Sequence, residues 1–262
     1  MPVYTDITLI DLPAQPRIIS LVPSLTELLY DLGLDQEVIG ITRFCVHPRH
    51  WYRSKTRIGG TKDLNVSLVR NLHPHLLVAS KEENIKEQVQ ALATDTAVWL
   101  TDIRTLEDAL LLIRQAGTLT GHQQQAHRIH DIVAGSFARI RPLAAEPVRT
   151  AYLIWKNPYM TVGDDTFIHH MMAAGGFVNV FTGQQRYPVT DAGQLRAKNL
   201  QVLLLSSEPY PFREKDLDEL QSQLPGVAVA LVDGELFSWY GSRLQHTAAY
   251  LQKLKTQVLS SS

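Results

Sequence analysis

The chain has 262 residues, 45% of them hydrophobic and 19% charged, which is enough for one large domain or two lobes of roughly 100 to 130 residues and excludes a disordered, collagenous or coiled-coil chain. With 25 Lys and Arg against 26 Asp and Glu, the net charge is -1, so no sequence-wide field draws the protein to phosphate backbones or anionic lipid, and nucleic acid is not its partner. The single cysteine, Cys45, closes no intrachain disulfide and reads as a small apolar filler.

Met1 to Pro16 carry no basic start, apolar core or small-residue cleavage site, which predicts a cytoplasmic protein, with a periplasmic one as the alternative if a precursor was truncated. No run of about 18 apolar residues follows, so no membrane insertion is expected. Strands are predicted at Arg17 to Val22, Val38 to Thr42, Leu76 to Ala79 and Val98 to Thr101. Helices fall between them at Ser24 to Leu32, Ser67 to Asn71 and Asn84 to Leu92, and another begins near Thr105. Ser24 with Glu27 three residues on reads as a capping box, and Gly33 as the stop.

From Thr118 to Arg141 apolar Ala126, Ile129, Val133, Phe137 and Ile140 recur every three or four residues, which predicts one helix of about six turns. Pro142 and Pro147 bracket a break. Strands then follow at Ala151 to Trp155, Val202 to Ser206 and Val227 to Val232, with helices at Thr166 to Ala174, Glu214 to Gln223 and Ser242 to Thr256. The class is α/β, with two Rossmann-like lobes of parallel sheet joined by one long α-helix. The expected boundaries are 16-118, 119-142 and 143-258.

No Walker loop, dinucleotide fingerprint, nucleophile elbow, His-Glu-x-x-His or Cys-x-x-Cys pair is present, so the chain is not expected to be an enzyme or to hold a catalytic cofactor. Ile58-Gly59-Gly60-Thr61-Lys62 lacks the order that aims successive amides at phosphate and reads as a turn. In parallel sheets the ligand lies beyond the carboxyl ends of the strands. There the sequence places Arg43, Phe44 and His47; Ser80 to Asn84; Trp155, Asn157 and Tyr159; Ser207, Glu208, Tyr210 and Phe212; and Phe237, Trp239, Tyr240 and Arg243. These offer aromatic walls with a few charged groups, or aromatics that plug the lobe interface.

Arg17-Ile-Ile-Ser-Leu-Val-Pro-Ser-Leu-Thr-Glu, Ile58-Gly-Gly-Thr-Lys-Asp-Leu-Asn and Leu72-His-Pro-His-Leu-Leu-Val-Ala resemble the ABC-transporter binding proteins for cobalamin and ferric siderophores. So do Asp164 through Phe181, Arg186-Tyr-Pro and Trp239-Tyr-Gly-Ser-Arg; the resemblance covers residues 16 to 256. It implies a non-catalytic receptor that holds a cobalamin-like corrinoid or another bulky metal chelate between its lobes. The matching pocket positions are Ser24, Phe44, His47, Thr61, Lys62, Lys81, Glu83, Trp155, Tyr159, Arg186, Tyr187, Trp239, Tyr240 and Arg243. Two alternatives stay open: a ferric-siderophore receptor, and direct metal-ion binding by His47, His169, His170, Glu83 and Glu208.

The chain departs from the family pattern in two respects. Thr61 stands where the cobalamin receptor has a tryptophan wall. Ser67 and Gly193 stand where transport receptors offer glutamates to arginines of the ABC permease, so docking is expected to be altered.

Overall fold

The computed structural model describes residues 3-140 and 148-260. The expected break between Pro142 and Pro147 and the far end of the expected inter-lobe helix lie outside the described residues. The chain forms two compact units, one of Met1–Ile103, Glu107–Val133 and Tyr240–Arg243, the other of Arg104–Leu106, Ala134–Trp239 and Leu244–Ser262.

The first unit is built on strands β1 (Val3–Tyr4), β2 (Ile18–Ser20), β3 (Val38–Ile41), β4 (Thr56–Arg57), β5 (Leu76–Ser80) and β6 (Ala97–Thr101). They form one parallel sheet in the order β1-β6-β5-β2-β3-β4. Crossover helices cover the faces of such a sheet, so its central strands are apolar on both sides rather than alternating. Ile18, Ile19, Leu76, Leu77 and Ala79 are accordingly fully buried. The helices are α1 (Pro23–Asp31), α2 (Arg49–Ser54), α3 (Val66–Asn71), α4 (Lys86–Leu92), α5 (Leu106–Thr120) and α6 (Gln123–Ala138), and the unit boundary falls inside α6 between Val133 and Ala134.

Two local expectations are corrected here. Helix α1 starts at Pro23, whose missing N–H suits the first helical position, and its cap residue is Val22, without a side-chain cap. Ser24 and Glu27 therefore form no capping box. The helix expected over Thr118 to Arg141 is divided: Thr118 to Thr120 end α5, Gly121 turns left-handed at φ +76, and α6 begins at Gln123. His122 N–H donates to Gly117 O at 2.7 Å and Gly121 N–H to Thr118 O at 3.4 Å. That pair is the Schellman closure, which a glycine with φ above zero makes cheap. A Cβ at Gly117 would collide with that of Ala126, so α5 and α6 meet closely at this point. Ala126, Ile129, Val133 and Phe137 do form the buried stripe of α6.

The second unit contains, in chain order, β7 (Val148–Leu153), β8 (Tyr159–Met160), α7 (Phe167–Ala174), β9 (Phe177–Asn179), β10 (Val189–Thr190), α8 (Ala192–Ala197), β11 (Val202–Ser206), α9 (Glu214–Gln223), β12 (Ala228–Val232), α10 (Glu235–Ser238) and α11 (Leu244–Ser260). Four parallel strands run in the order β12-β11-β7-β9, while β8 and β10 pair antiparallel beside them. Leu153, Phe181, Leu195, Leu203, Leu205, Phe212 and Leu220 build its core. The α/β class with parallel sheets is thus present in both units. The short elements β1, β4, β8, β9, β10, α2, α8 and α10 were not among the predicted ones, since two to six residues carry too little periodicity to read.

Candidate functional site

Because every strand of the first sheet points the same way, its carboxyl ends share one edge, and the loops that follow the strands collect there. Asn84 holds three of them. Its Oδ1 accepts from Ser80 N–H at 2.9 Å, and its Nδ2 donates to Leu21 O and Thr61 O at 3.3 and 3.2 Å. Beneath the edge lies a buried hydroxyl group. Thr26 Oγ1 donates to Ser20 Oγ at 2.8 Å and Thr26 and Thr42 flank Cys45 Sγ at 3.0 and 3.1 Å. Burial pushes the Cys45 thiol up to about 11, against the pull of these hydroxyls, so at neutral pH it is an inert thiol filling the core.

Outward from this floor stand the predicted contact residues. Phe44 is 48% exposed, with the Arg43 guanidinium 5.2 Å from its ring centre and bonded to Asp63 at 2.9 Å. Gly60 leaves room for that arrangement, since a Cβ there would strike Asp63 and approach the Phe44 ring to 2.9 Å. Lys62 Nζ donates to Glu82 O at 3.1 Å, and Lys81 pairs with Asp102 at 2.9 Å. Thr61 is half-buried between Gly60 and Lys62.

Tyr240–Arg243 joins this unit from far along the sequence. Gly241, at φ +115, brings that backbone against Leu28 and Ser24 of α1. Arg243 donates two hydrogen bonds to Glu27, at 2.8 and 2.6 Å. Burial raises the Glu27 carboxyl above its usual range, opposed by Arg243. Arg243 thus clamps the chain segment that carries it onto α1. The Tyr240 phenol is buried beside Ser80, Thr101 and Ser24, and burial pushes its titration up strongly. Glu83 acts on both Tyr240 and Cys45, and His47 on Glu27.

The second unit gathers its aromatics in the same place relative to its own sheet. Trp155, just past β7 and 41% exposed, meets Tyr210 edge-on with ring centres 5.8 Å apart, and Tyr210 meets Phe212 at 4.8 Å. Tyr159 donates to Glu219 at 3.3 Å. Exposed Arg186 lies 5.5 Å from the ring centre of Tyr187. Glu208, past β11, accepts from Ser238 Oγ at 2.6 Å and from Trp239 Nε1 at 2.9 Å. Trp239 is 7% exposed.

A network absent from the sequence reading lies behind the aromatics. Lys156 Nζ donates to Asp216 at 2.8 Å and to Glu219 at 2.7 Å. Burial opposes ionisation of Asp216, but Lys156 and the Arg213 N–H outweigh it and hold the carboxyl below its usual range. The only trace in the sequence is the pair of acids three residues apart on one face of a helix.

Two of the histidines, His169 and His170, lie against neighbouring polar groups. His169 Nδ1 lies 3.3 Å from Asn179 Nδ2, and His170 Nδ1 lies 3.2 Å from Thr166 O. Burial, followed by the neighbouring His170, lowers the pKa of His169. Among the described residues no three His, Cys, Asp or Glu side chains converge to hold a metal ion. No helix among them is long and apolar enough to cross a membrane.

Residues 18-229 match the family described as "Periplasmic binding protein". A "Vitamin B12-binding protein" of Pectobacterium carotovorum is 24% identical over 234 residues, 87% of this chain and 84% of that protein. The periplasmic vitamin B12 binding protein BtuF of Vibrio cholerae superposes with a TM-score of 0.79 at 18% identity, covering 93% of this chain and 98% of that one. The periplasmic heme-binding protein RhuT of Roseiflexus sp. RS-1 gives 0.77 at 19%, covering 94% and 98%. These matches overturn the cytoplasmic location expected above, for the family role is periplasmic. The residues that open a sequence do not by themselves decide a compartment.

Proposed function

The chain belongs to the periplasmic binding protein family, and we propose that within it this protein receives a cobalamin-like corrinoid at the carboxyl edges of its sheets for delivery to an ABC permease. It is a binding protein and not an enzyme. One observation carries the choice of ligand class: Trp155, Tyr210 and Phe212 form a continuous edge-on aromatic series beyond the second sheet, and its outermost ring is 41% exposed. Such a surface suits a broad flat macrocycle. Phe44 is an exposed ring of the first unit, which also offers Lys62 and Lys81, and the second unit offers Arg186, as cations that suit amide or carboxylate rims. The relatives called vitamin B12-binding proteins favour a corrinoid over haem or a ferric siderophore. Thr61 stands where the cobalamin receptor has a tryptophan wall, so the wall on that side is altered.

Handover works without two familiar contacts. Ser67 and Gly193 are exposed at the second residue of α3 and α8, helices capped alike by Asn65 and Asp191. Neutral groups there remove two rim ion pairs, so docking rests on the remaining surface and is weaker at low salt than in a receptor carrying glutamates.

Titration of the purified protein with cyanocobalamin, haemin and a ferric siderophore, followed by tryptophan fluorescence, tests the ligand class. Saturable quenching by cyanocobalamin is expected, and no response to any chelate up to high micromolar concentration would remove the reading. Trp155→Ala is expected to weaken cyanocobalamin roughly tenfold and to change unfolding free energy by no more than about 0.5 kcal/mol, as a part-exposed ring should.

A further inference from the structure

Glu208 is a part-buried acid that no ligand role requires, yet three chain segments are arranged around it. Its side-chain Oε1 accepts from both Ser238 Oγ and Trp239 Nε1. Its backbone O accepts from Ser206 Oγ at 2.6 Å, and Ser206 Oγ in turn accepts from the buried Tyr152 phenol at 2.9 Å. Gly234 is packed so tightly here that a Cβ would strike Ser206 Oγ and approach Glu208 Cγ to 2.6 Å. Two positions on, Tyr210 leans on Trp155. One residue therefore connects the loop that carries the exposed aromatic series with the turn that ends in Trp239.

We propose that Glu208 is the positioning residue of the second unit's aromatic wall, fixing the Trp239 indole through its N–H and keeping the loop of Tyr210 in register with it. This rests on the ligand-binding reading above and assigns the part that sets its affinity. An indole is hydrophobic on its faces but has one donor, and a carboxylate fixes that donor more strongly than a neutral acceptor does. The location is costly for a charge. Burial raises the Glu208 carboxyl above its usual range, Ser238 and Trp239 pull it back, and Glu235 and Asp233 push it up again. The other titratable groups nearby are the Tyr152 phenol, which feels Glu208, and Tyr250, whose hydroxyl accepts from Asp233 N–H.

The test is a proton–nitrogen NMR spectrum of the ligand-free protein, in which the four tryptophans give separate indole signals and Trp239→Phe identifies its own. Glu208→Leu is expected to move the Trp239 indole proton upfield and to weaken cyanocobalamin roughly tenfold, whereas Glu208→Gln, which keeps an acceptor, holds affinity within about twofold. In the wild type that signal moves as the carboxyl takes its proton on acidification, and in Glu208→Gln it does not; this second comparison stands if the leucine variant fails to fold. An indole signal unmoved by Glu208→Leu, an unaltered affinity, or the same pH response in Glu208→Gln overturns the assignment. Failure of wild-type protein to bind any chelate sinks the functional reading instead, because the NMR comparison needs no ligand.

Discussion

The two carboxyl edges use different means to hold their contact residues. In the first unit an amide, Asn84, holds three loops together, and the basic side chains Arg43 and Lys81 are held by exposed acids. In the second, rings lean on rings, and behind them Lys156, 14% exposed in its side chain, joins Asp216, 1% exposed, to Glu219, 45% exposed. Hydrogen bonds to backbone fix where a loop runs, whereas aromatic contacts fix an orientation and tolerate sliding. The first edge is thus a rigid polar rim, and the second an aromatic face stiffened from behind.

The largest expected effect tests the stiffening. Asp216→Ala leaves Lys156 with Glu219 alone and removes the acid that accepts from the Arg213 N–H at the start of α9, so the unfolding free energy in urea should fall by about 3 kcal/mol. A loss below about 1 kcal/mol would mean that the buried pair does not hold that face. Asn84→Ala attacks the other edge. It strips an acceptor from the buried Ser80 N–H and should cost about 2 kcal/mol, with faster hydrogen exchange spread over residues 80 to 85 and confined to that unit.

The smallest effect is one of sign. Because the folded Glu208 carboxyl holds its proton to higher pH than it does unfolded, its contribution is fully present below the unfolded carboxylate range and is lost as pH rises through the folded value. Glu208→Gln should therefore equal or exceed the wild type in thermal stability at neutral pH, and the gap should close on acidification. Asp216, whose carboxyl is held low, behaves oppositely: its contribution is present above the unfolded value and is lost as pH falls through the folded one. Parallel melting curves of the two variants across pH 3 to 8 are expected to diverge in opposite directions.

Much of the fold is legible because burial on both faces leaves continuous apolar runs such as Leu76 to Ala79 and Val202 to Leu205. Helix α9 coincides with the predicted Glu214 to Gln223, for its acidic start and strong amphipathic period are local signals. Gly121 shows what period alone misses, since apolar spacing continues through a residue whose backbone has turned left-handed. At the site, residue types at strand ends mark the location but not the partners. Local spacing pairs Glu27 with Ser24, yet its carboxylate bonds Arg243, 216 positions away. Lys156 and Asp216, 60 apart, leave no spacing that a linear reading detects.

Asn84 has a consequence for how this surface can change over generations. Three loops sharing one amide behave as a single mechanical part, so lengthening any of them disturbs the other two. A lineage adapting the first unit to another guest is therefore confined to exchanging outward side chains such as Phe44, Lys62 and Lys81.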